Sequence, residues 1–430
     1  MRELAKHIQQ TPLMDTHEHL HKETEYVHNG PDVLEDLFDN YAQADLEVAG
    51  ASPAATKRLL DHSDPDLAGR FAGIRQAWER CRHTGYGEAV QNIARHAYGM
   101  EEITPKNLEA ARARNAELRQ PGERLRILKE DGNLDHVEID DFCWPCLPDE
   151  SGLDFFLYDL SWVEFCRGMV NVPAIDKEVG IDVRDLKTLR EAMAMIFEKH
   201  GPCAVAVKSQ HAYHRTLLWQ ERTEADAAGA LQQQLRGKEL TEEESLCLGD
   251  WCWARGVELS IQHNRPFKLH TGYYAGQGYM EVERIHSGHL CGLLRKYPTA
   301  RFVLMHIAYP YSDELVALAK HFPNVYVDLC WAWSIDPFSA CDFVRRMIHA
   351  VPANKLFAFG GDTRWPNAAA AYSIQARAWL TRALQAEVDD GLLTERQAIA
   401  LATRLMRSNQ QECFDLNGTR AAIHAKAKGG

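Results

Sequence analysis

At 430 residues, 45% apolar and with a formal charge of −13, the chain can bury a large core; it carries no long Lys/Arg cluster, which excludes a nucleic-acid binder or a polybasic membrane protein. No apolar run approaches the length of a membrane span, and residues 1–10 are polar and charged where a signal peptide needs an apolar centre. The 11 cysteines, an odd number scattered along the chain, suit reduced thiols better than a disulfide framework, so the expected location is cytoplasmic.

The first predicted element is a strand, Leu13-Met14-Asp15-Thr16-His17-Glu18-His19-Leu20, ending in two histidines spaced i and i+2. Alternation along a strand turns both imidazoles to one side, where they can grip one divalent ion if a carboxylate arrives from elsewhere. Pro31 then opens a run with Leu34, Leu37, Phe38 and Tyr41 at helical spacing, and similar segments continue to Lys129, so residues of about 31–130 read as a helical insertion. Leu134–Ile139 reads as a second strand, and the aromatic-rich stretch Phe155–Phe165 carries the third. Between them, Cys143-Trp144-Pro145-Cys146 has redox spacing, but it runs into a loop, Leu147–Gly152. A redox pair should open a helix, whose amino terminus lowers the thiol pKa, so this one reads as a structural turn.

From Asp185 the rhythm is regular. Leu186, Leu189, Met193, Ile196 and Phe197 share one helical face, stopped by Gly201-Pro202. Strand-like runs then end at Val207-Lys208, Leu269-His270, Met305-His306, Val327-Asp328 and Gly361-Asp362, each followed by helical sequence. Thr241-Glu242-Glu243-Glu244 and Thr394-Glu395-Arg396-Gln397 read as capping boxes. Alternation of this kind predicts an α/β fold, a parallel (β/α)₈ TIM barrel of one domain over 1–417 with the insertion after its first strand; residues 418–430 read as a disordered tail.

In such a barrel the active site sits at the carboxyl ends of the strands, and polar residues gather there: His17, His19, Lys208, His270, His306, Asp328 and Asp362. His17 and His19 are the expected pair on a divalent ion, most simply Zn²⁺, in one or two copies. Asp362, on the last strand and therefore beside the first, completes their grip and carries protons. His270 and His306 read as ligands or substrate contacts, with His306 also a catalytic group. Lys208 has two readings, an ammonium snorkelling to water or an unprotonated amine turned into a carbamate ligand between two ions. Asp328 is either part of the site or a cap of the next loop. Tyr273, Tyr274, Trp331 and Trp333 line the pocket or pack behind it. Arg364, two residues beyond Asp362, either anchors a substrate carboxylate bidentately or pairs with a neighbouring acid.

At these residues the sequence resembles the amidohydrolase superfamily, in its amidohydrolase-related branch of metal-dependent TIM-barrel hydrolases. Thr16-His17-Glu18-His19 is similar to that family's first-strand signature, and the blocks at Lys208–Tyr213, Leu269–Gly272, Met305–Pro310 and Asn324–Asp328 resemble its later ones in the same order. The insertion and Gly361-Asp362-Thr363-Arg364 are similar to the uronate isomerases, which have Asp-Ser-Arg where this chain has Asp-Thr-Arg; Cys330 and Trp331 stand where small or hydroxylated residues are usual. The resemblance implies a metal-dependent hydrolase attacking an amide or ester carbon of a small, acidic substrate. Its alternatives are an aldose–ketose isomerase acting on a uronic acid and, third, a decarboxylase; from a different class stands a metal-free binding protein. A small-molecule partner is expected, with no nucleic acid or membrane, and a homo-oligomer is compatible.

Overall fold

Eight short parallel strands form one sheet in strict chain order: β1 Leu13–Glu18, β2 Leu134–Ile139, β3 Phe156–Ser161, β4 Ala204–Ser209, β5 Phe267–Leu269, β6 Phe302–Leu304, β7 Val325–Asp328 and β8 Leu356–Phe357. This computed structural model describes residues 2–274, 276 and 281–429. Past the short ladder of β8 the chain turns to β1 and closes the ring through backbone bonds, Thr16 N–H to Phe359 O (3.2 Å), Asp362 N–H to His17 O (2.9 Å) and His19 N–H to Thr363 O (2.8 Å). The fold is thus the (β/α)₈ barrel. Strands such as Ala204-Val205-Ala206-Val207 show no apolar–polar alternation because helices cover the outer face while the interior is filled.

Local chemistry fixes where the helices start. Both expected capping boxes form, Thr241 with Glu244 ahead of the helix Glu242–Gln262 and Thr394 with Gln397 ahead of Glu395–Thr403. Between β1 and β2 lies the helical insertion, running from Glu23 to Arg126 and leaving through a π-turn, Ile127–Asp131. Its helix Gly85–Tyr98 packs on the barrel helix Pro366–Asp389, where Gln375 Nε2 donates to Gly85 O and Glu88 (both 2.9 Å) and Trp379 Nε1 donates to Glu88 (2.9 Å). The insertion is therefore tied to the barrel by paired polar groups as well as by apolar contact.

The expected disordered tail is corrected. Residues Leu416–Gly429 form a helix whose start is capped by Asp415, and Leu416, Thr419 and Ile423 are buried. Thr419 anchors it, its hydroxyl accepting from Arg265 (2.7 Å) and donating to Ala204 O at the head of β4 (3.3 Å). Among the described residues no helix is long and apolar enough to cross a membrane.

Candidate metal centre

The two β1 histidines do converge. His17 Nε2 lies 3.4 Å and His19 Nε2 3.2 Å from the same oxygen, Asp362 Oδ1, and His306 Nε2 lies 3.9 Å from the other, Oδ2. Two donors about 2.1 Å from one tetrahedral ion stand roughly 3.4 Å apart, so the His17, His19 and Asp362 atoms have the spacing of a ligand set. The nitrogens also have the right chemistry. Both ring nitrogens of His17 are buried without a hydrogen-bond partner, a costly state that a cation relieves. His19 Nδ1 donates to the Asp140 carbonyl (2.7 Å), which leaves its Nε2 lone pair facing Asp362.

Electrostatics agree with that assignment. Burial, aided by the nearby Lys208 charge, pushes His17 well below the usual histidine range and keeps it neutral. Burial alone would raise Asp362, but the two imidazoles outweigh it and hold the carboxyl well below its ordinary value, as a carboxylate. His306 is lowered by burial to about 4, and its Nδ1 donates to the Cys330 carbonyl at 3.0 Å. Backbone shape sets these directions. Asp362 (φ +60°), Trp331 (φ +60°) and the whole turn His306-Ile307-Ala308 (φ +63°, +47°, +50°) are left-handed, which side-chain-bearing residues seldom adopt. Gly361 permits the turn at Asp362, since a Cβ there would stand 1.9 Å from Glu18 Oε1.

A cavity of about 670 Å³ opens above this group, lined in part by His19, Tyr41, Phe142, Tyr213, Arg167 and Arg364. Phe142, itself left-handed (φ +60°), stacks on His19 with centroids 4.7 Å apart. Arg364 is exposed at the cavity wall and makes no ion pair among the described residues. Of its two readings, the one with a neighbouring acid finds no partner there.

Other expected positions differ. Lys208 is fully buried, its Nζ 3.3 Å from Met305 Sδ, and burial lowers it below the usual lysine range, so the snorkelling reading is corrected. His270 lines the cavity but does not join the ligand group; its Nε2 donates to Tyr273 O (3.0 Å) and its ring lies 4.2 Å from that of His306. Tyr273 and Trp331 are also corrected, because neither lines the cavity: Trp331 is buried behind His306, 4.4 Å from the Tyr41 ring, and Tyr273 leans on it. Tyr41 and Tyr213 are the aromatic walls instead. Tyr274 is buried, and Trp333 donates to Ala358 O (2.8 Å) as a packing residue. Asp328 binds Thr16 Oγ1 (2.6 Å) and Cys330 N–H (2.8 Å), holding the turn after β7. Cys143 and Cys146 lie in a loop as free thiols, and burial raises both, the reverse of what a redox nucleophile requires.

A second polar tier lies below the site. Lys268 Nζ bonds Asp159 (2.9 Å), Thr16 O (2.7 Å) and Glu138 (2.5 Å), and Glu138 meets His136 at 3.2 Å, all fully buried. Burial opposes the Lys268 charge, but its two carboxylates prevail and raise it above the ordinary lysine value. The signal was present in the sequence as His136 and Glu138, two residues apart and so on one face of β2.

Comparison with known proteins adds to this geometry. Residues 215–398 match the family model described as amidohydrolase. Protein fluG of Emericella nidulans is 29% identical over 176 residues, 40% of this chain; the match spans only 20% of that longer protein. Among solved structures, a uronate isomerase of Thermotoga maritima superposes with a TM-score of 0.79 at 15% identity, covering 96% of both chains. A glucuronate isomerase of Caulobacter crescentus gives 0.79 at 16%, covering 96% of this chain and 93% of its own. A candidate metal-dependent hydrolase of Lactobacillus casei gives 0.63 at 16%, over 96% and 97%. Likeness at such identity establishes the fold.

Proposed function

We propose that this chain is a metal-dependent hydrolase of the amidohydrolase superfamily, whose family model matches residues 215–398, and that it cleaves an amide or ester of a small anionic substrate, with Zn²⁺ or a similar ion on His17, His19 and Asp362. The observation that carries this reading is the convergence of two neutral-capable imidazoles on one buried carboxylate oxygen, at 3.4 and 3.2 Å, beneath an open cavity. A bound ion of this class polarises a carbonyl and brings the pKa of water to about 7. Asp362 takes the proton of the attacking water and returns it to the leaving group. Arg364 orients the substrate by its acid group, and Tyr41, Tyr213 and Phe142 exclude solvent from the reacting carbon. The 11 free thiols suit a reducing compartment, and we place the enzyme in the cytoplasm.

A second reading, an aldose–ketose isomerase of a uronic acid, is favoured by the same Arg364 and by the full-length fold likeness to uronate isomerases. Isotopes separate the two. Turnover in water labelled with heavy oxygen should place the label in a cleaved product; deuterium arriving on substrate carbon in heavy water, without cleavage, would replace hydrolysis by isomerisation. In either case His17→Ala should purify with the ion lost, and full metal content in that variant would remove the basis of both readings.

A further inference from the structure

We propose that His306, Cys330 and the second oxygen of Asp362 form a second, sulfur-bearing metal position, so that Asp362 bridges two ions of the borderline-soft class to which Zn²⁺ and Co²⁺ belong. The inference rests on the metal reading for His17, His19 and Asp362 and adds a site to it. It also makes His306 a ligand, one of the roles expected from the sequence, rather than a catalytic group.

Three observations carry it. The donor atoms of His306, Cys330 and Asp362 all lie within 4.8 Å of one another and are all buried, with His306 Nε2 3.9 Å from Oδ2 while Oδ1 faces His17 and His19. The carboxylate is thus divided between two ligand sets, one oxygen to each. His306 is already oriented for ligation, because its Nδ1 donates to the Cys330 carbonyl and its Nε2, fully buried, has no partner. That is the arrangement in which the free nitrogen carries the lone pair. Finally, the backbone makes room for the thiol. A Cβ at Gly360 would stand 2.8 Å from Cys330 Sγ, and the turn is held by Cys330 N–H on Asp328 (2.8 Å) and by Trp331 N–H on Gly360 O (2.9 Å).

A thiolate, an imidazole and a carboxylate make a set that prefers Zn²⁺ or Co²⁺ to Mg²⁺ or Mn²⁺, and three protein donors leave a tetrahedral ion one open position. The competing account is that Cys330 only fills space against Gly360. The two accounts differ in what a spectroscopically active metal reports.

The test is the full chain produced with Co²⁺ in place of Zn²⁺, wild type beside Cys330→Ser, read by cobalt content per chain and by absorption. The expected wild type shows the visible bands of bound cobalt together with a near-ultraviolet sulfur-to-cobalt charge-transfer band; Cys330→Ser loses that band and one cobalt equivalent and keeps the remaining visible bands. Cobalt bound without a charge-transfer band, or a band that survives in Cys330→Ser, overturns the sulfur site while leaving the first metal site standing. A chain that binds no cobalt sinks both. If Cys330→Ser fails to fold, cadmium NMR of the wild type decides instead: a resonance shifted by sulfur ligation supports the site, and resonances of nitrogen and oxygen ligation alone overturn it.

Discussion

Arg364 is the residue whose two roles lead to different measurements. Its guanidinium is exposed at the cavity wall and has no ion-pair partner among the described residues, so removing it should leave the fold unchanged. A charge-assisted contact to a substrate carboxylate is worth about 1.5–3 kcal/mol, so Arg364→Met should lower kcat/KM for acidic substrates by roughly 10–100-fold, with neutral analogues and Tm unaffected. Steady-state kinetics on matched acidic and neutral substrates checks this; equal loss on both would mean that the arginine shapes the cavity instead of binding charge. His17, His19, Asp362 and Arg364 were legible in the sequence because each needs only strand alternation and the adjacency of first and last strands. Phe142 was not singled out, since it lies in the irregular loop after β2, where no periodicity places a side chain, and Trp331 was read as lining the pocket although it packs behind it. Cys330 stood out only as a departure from the pattern of the family that the sequence resembles. Its partnership with His306 depends on the turn after β7.

At the scale of elements, one of the polar ties between insertion and barrel is a buried acid. Asp36, in the insertion helix Val33–Phe38, accepts from Asn367 of the barrel helix Pro366–Asp389 (2.7 Å) and from Tyr98 (2.5 Å). Burial raises it from 3.8 to about 6 despite those two bonds. The sign follows from proton counting. As pH rises from about 4 to 6 the unfolded chain releases this proton and the folded chain keeps it, so stability falls through that window, by about 3 kcal/mol in all. Asp36→Asn imitates the protonated acid and should remove that slope. Urea unfolding from pH 4 to 7.5, wild type against variant, measures it, and parallel curves for the two proteins would show that Asp36 does not titrate as argued. The expected strand Leu356–Asp362 shows the limit of pattern at this scale. Its apolar residues are all buried, but only Leu356–Phe357 stay on the β7 ladder, while Phe359 and Asp362 bond β1 and Ala358 N–H bonds Leu405 O. Burial was legible, whereas the choice of hydrogen-bond partner depends on ring closure.

For the whole molecule, a metal bound to the folded chain and not to the unfolded one adds its binding energy to stability, about 3–4 kcal/mol at 100–1,000 times its Kd. Chelation should therefore lower Tm measurably, and His17→Ala should lose less Tm to the chelator than the wild type does; scanning calorimetry with and without the chelator checks both, and an unchanged wild-type Tm would contradict the argument. The barrel itself was readable from alternation alone, while the Lys268, Glu138 and Asp159 tier was not singled out because it lies in the strands' middles, where apolar residues are expected. The docked helix Leu416–Gly429 was missed because few apolar residues hold it, Leu416 and Ile423, beside polar bonds from Thr419, from Arg420 to Asp154 O (3.0 Å) and between His424 and Asp154 (2.7 Å). The ring-closing bonds carry a consequence in time. Glu18 and Thr363, which bond each other at 2.6 Å, are 345 residues apart, and the convergent His17, His19 and Asp362 sit at the same two ends of that span. A ribosome must add more than 340 residues after His19 before Asp362 exists. On the metal reading proposed above, ion capture is a late event that follows the pairing of the intervening strands.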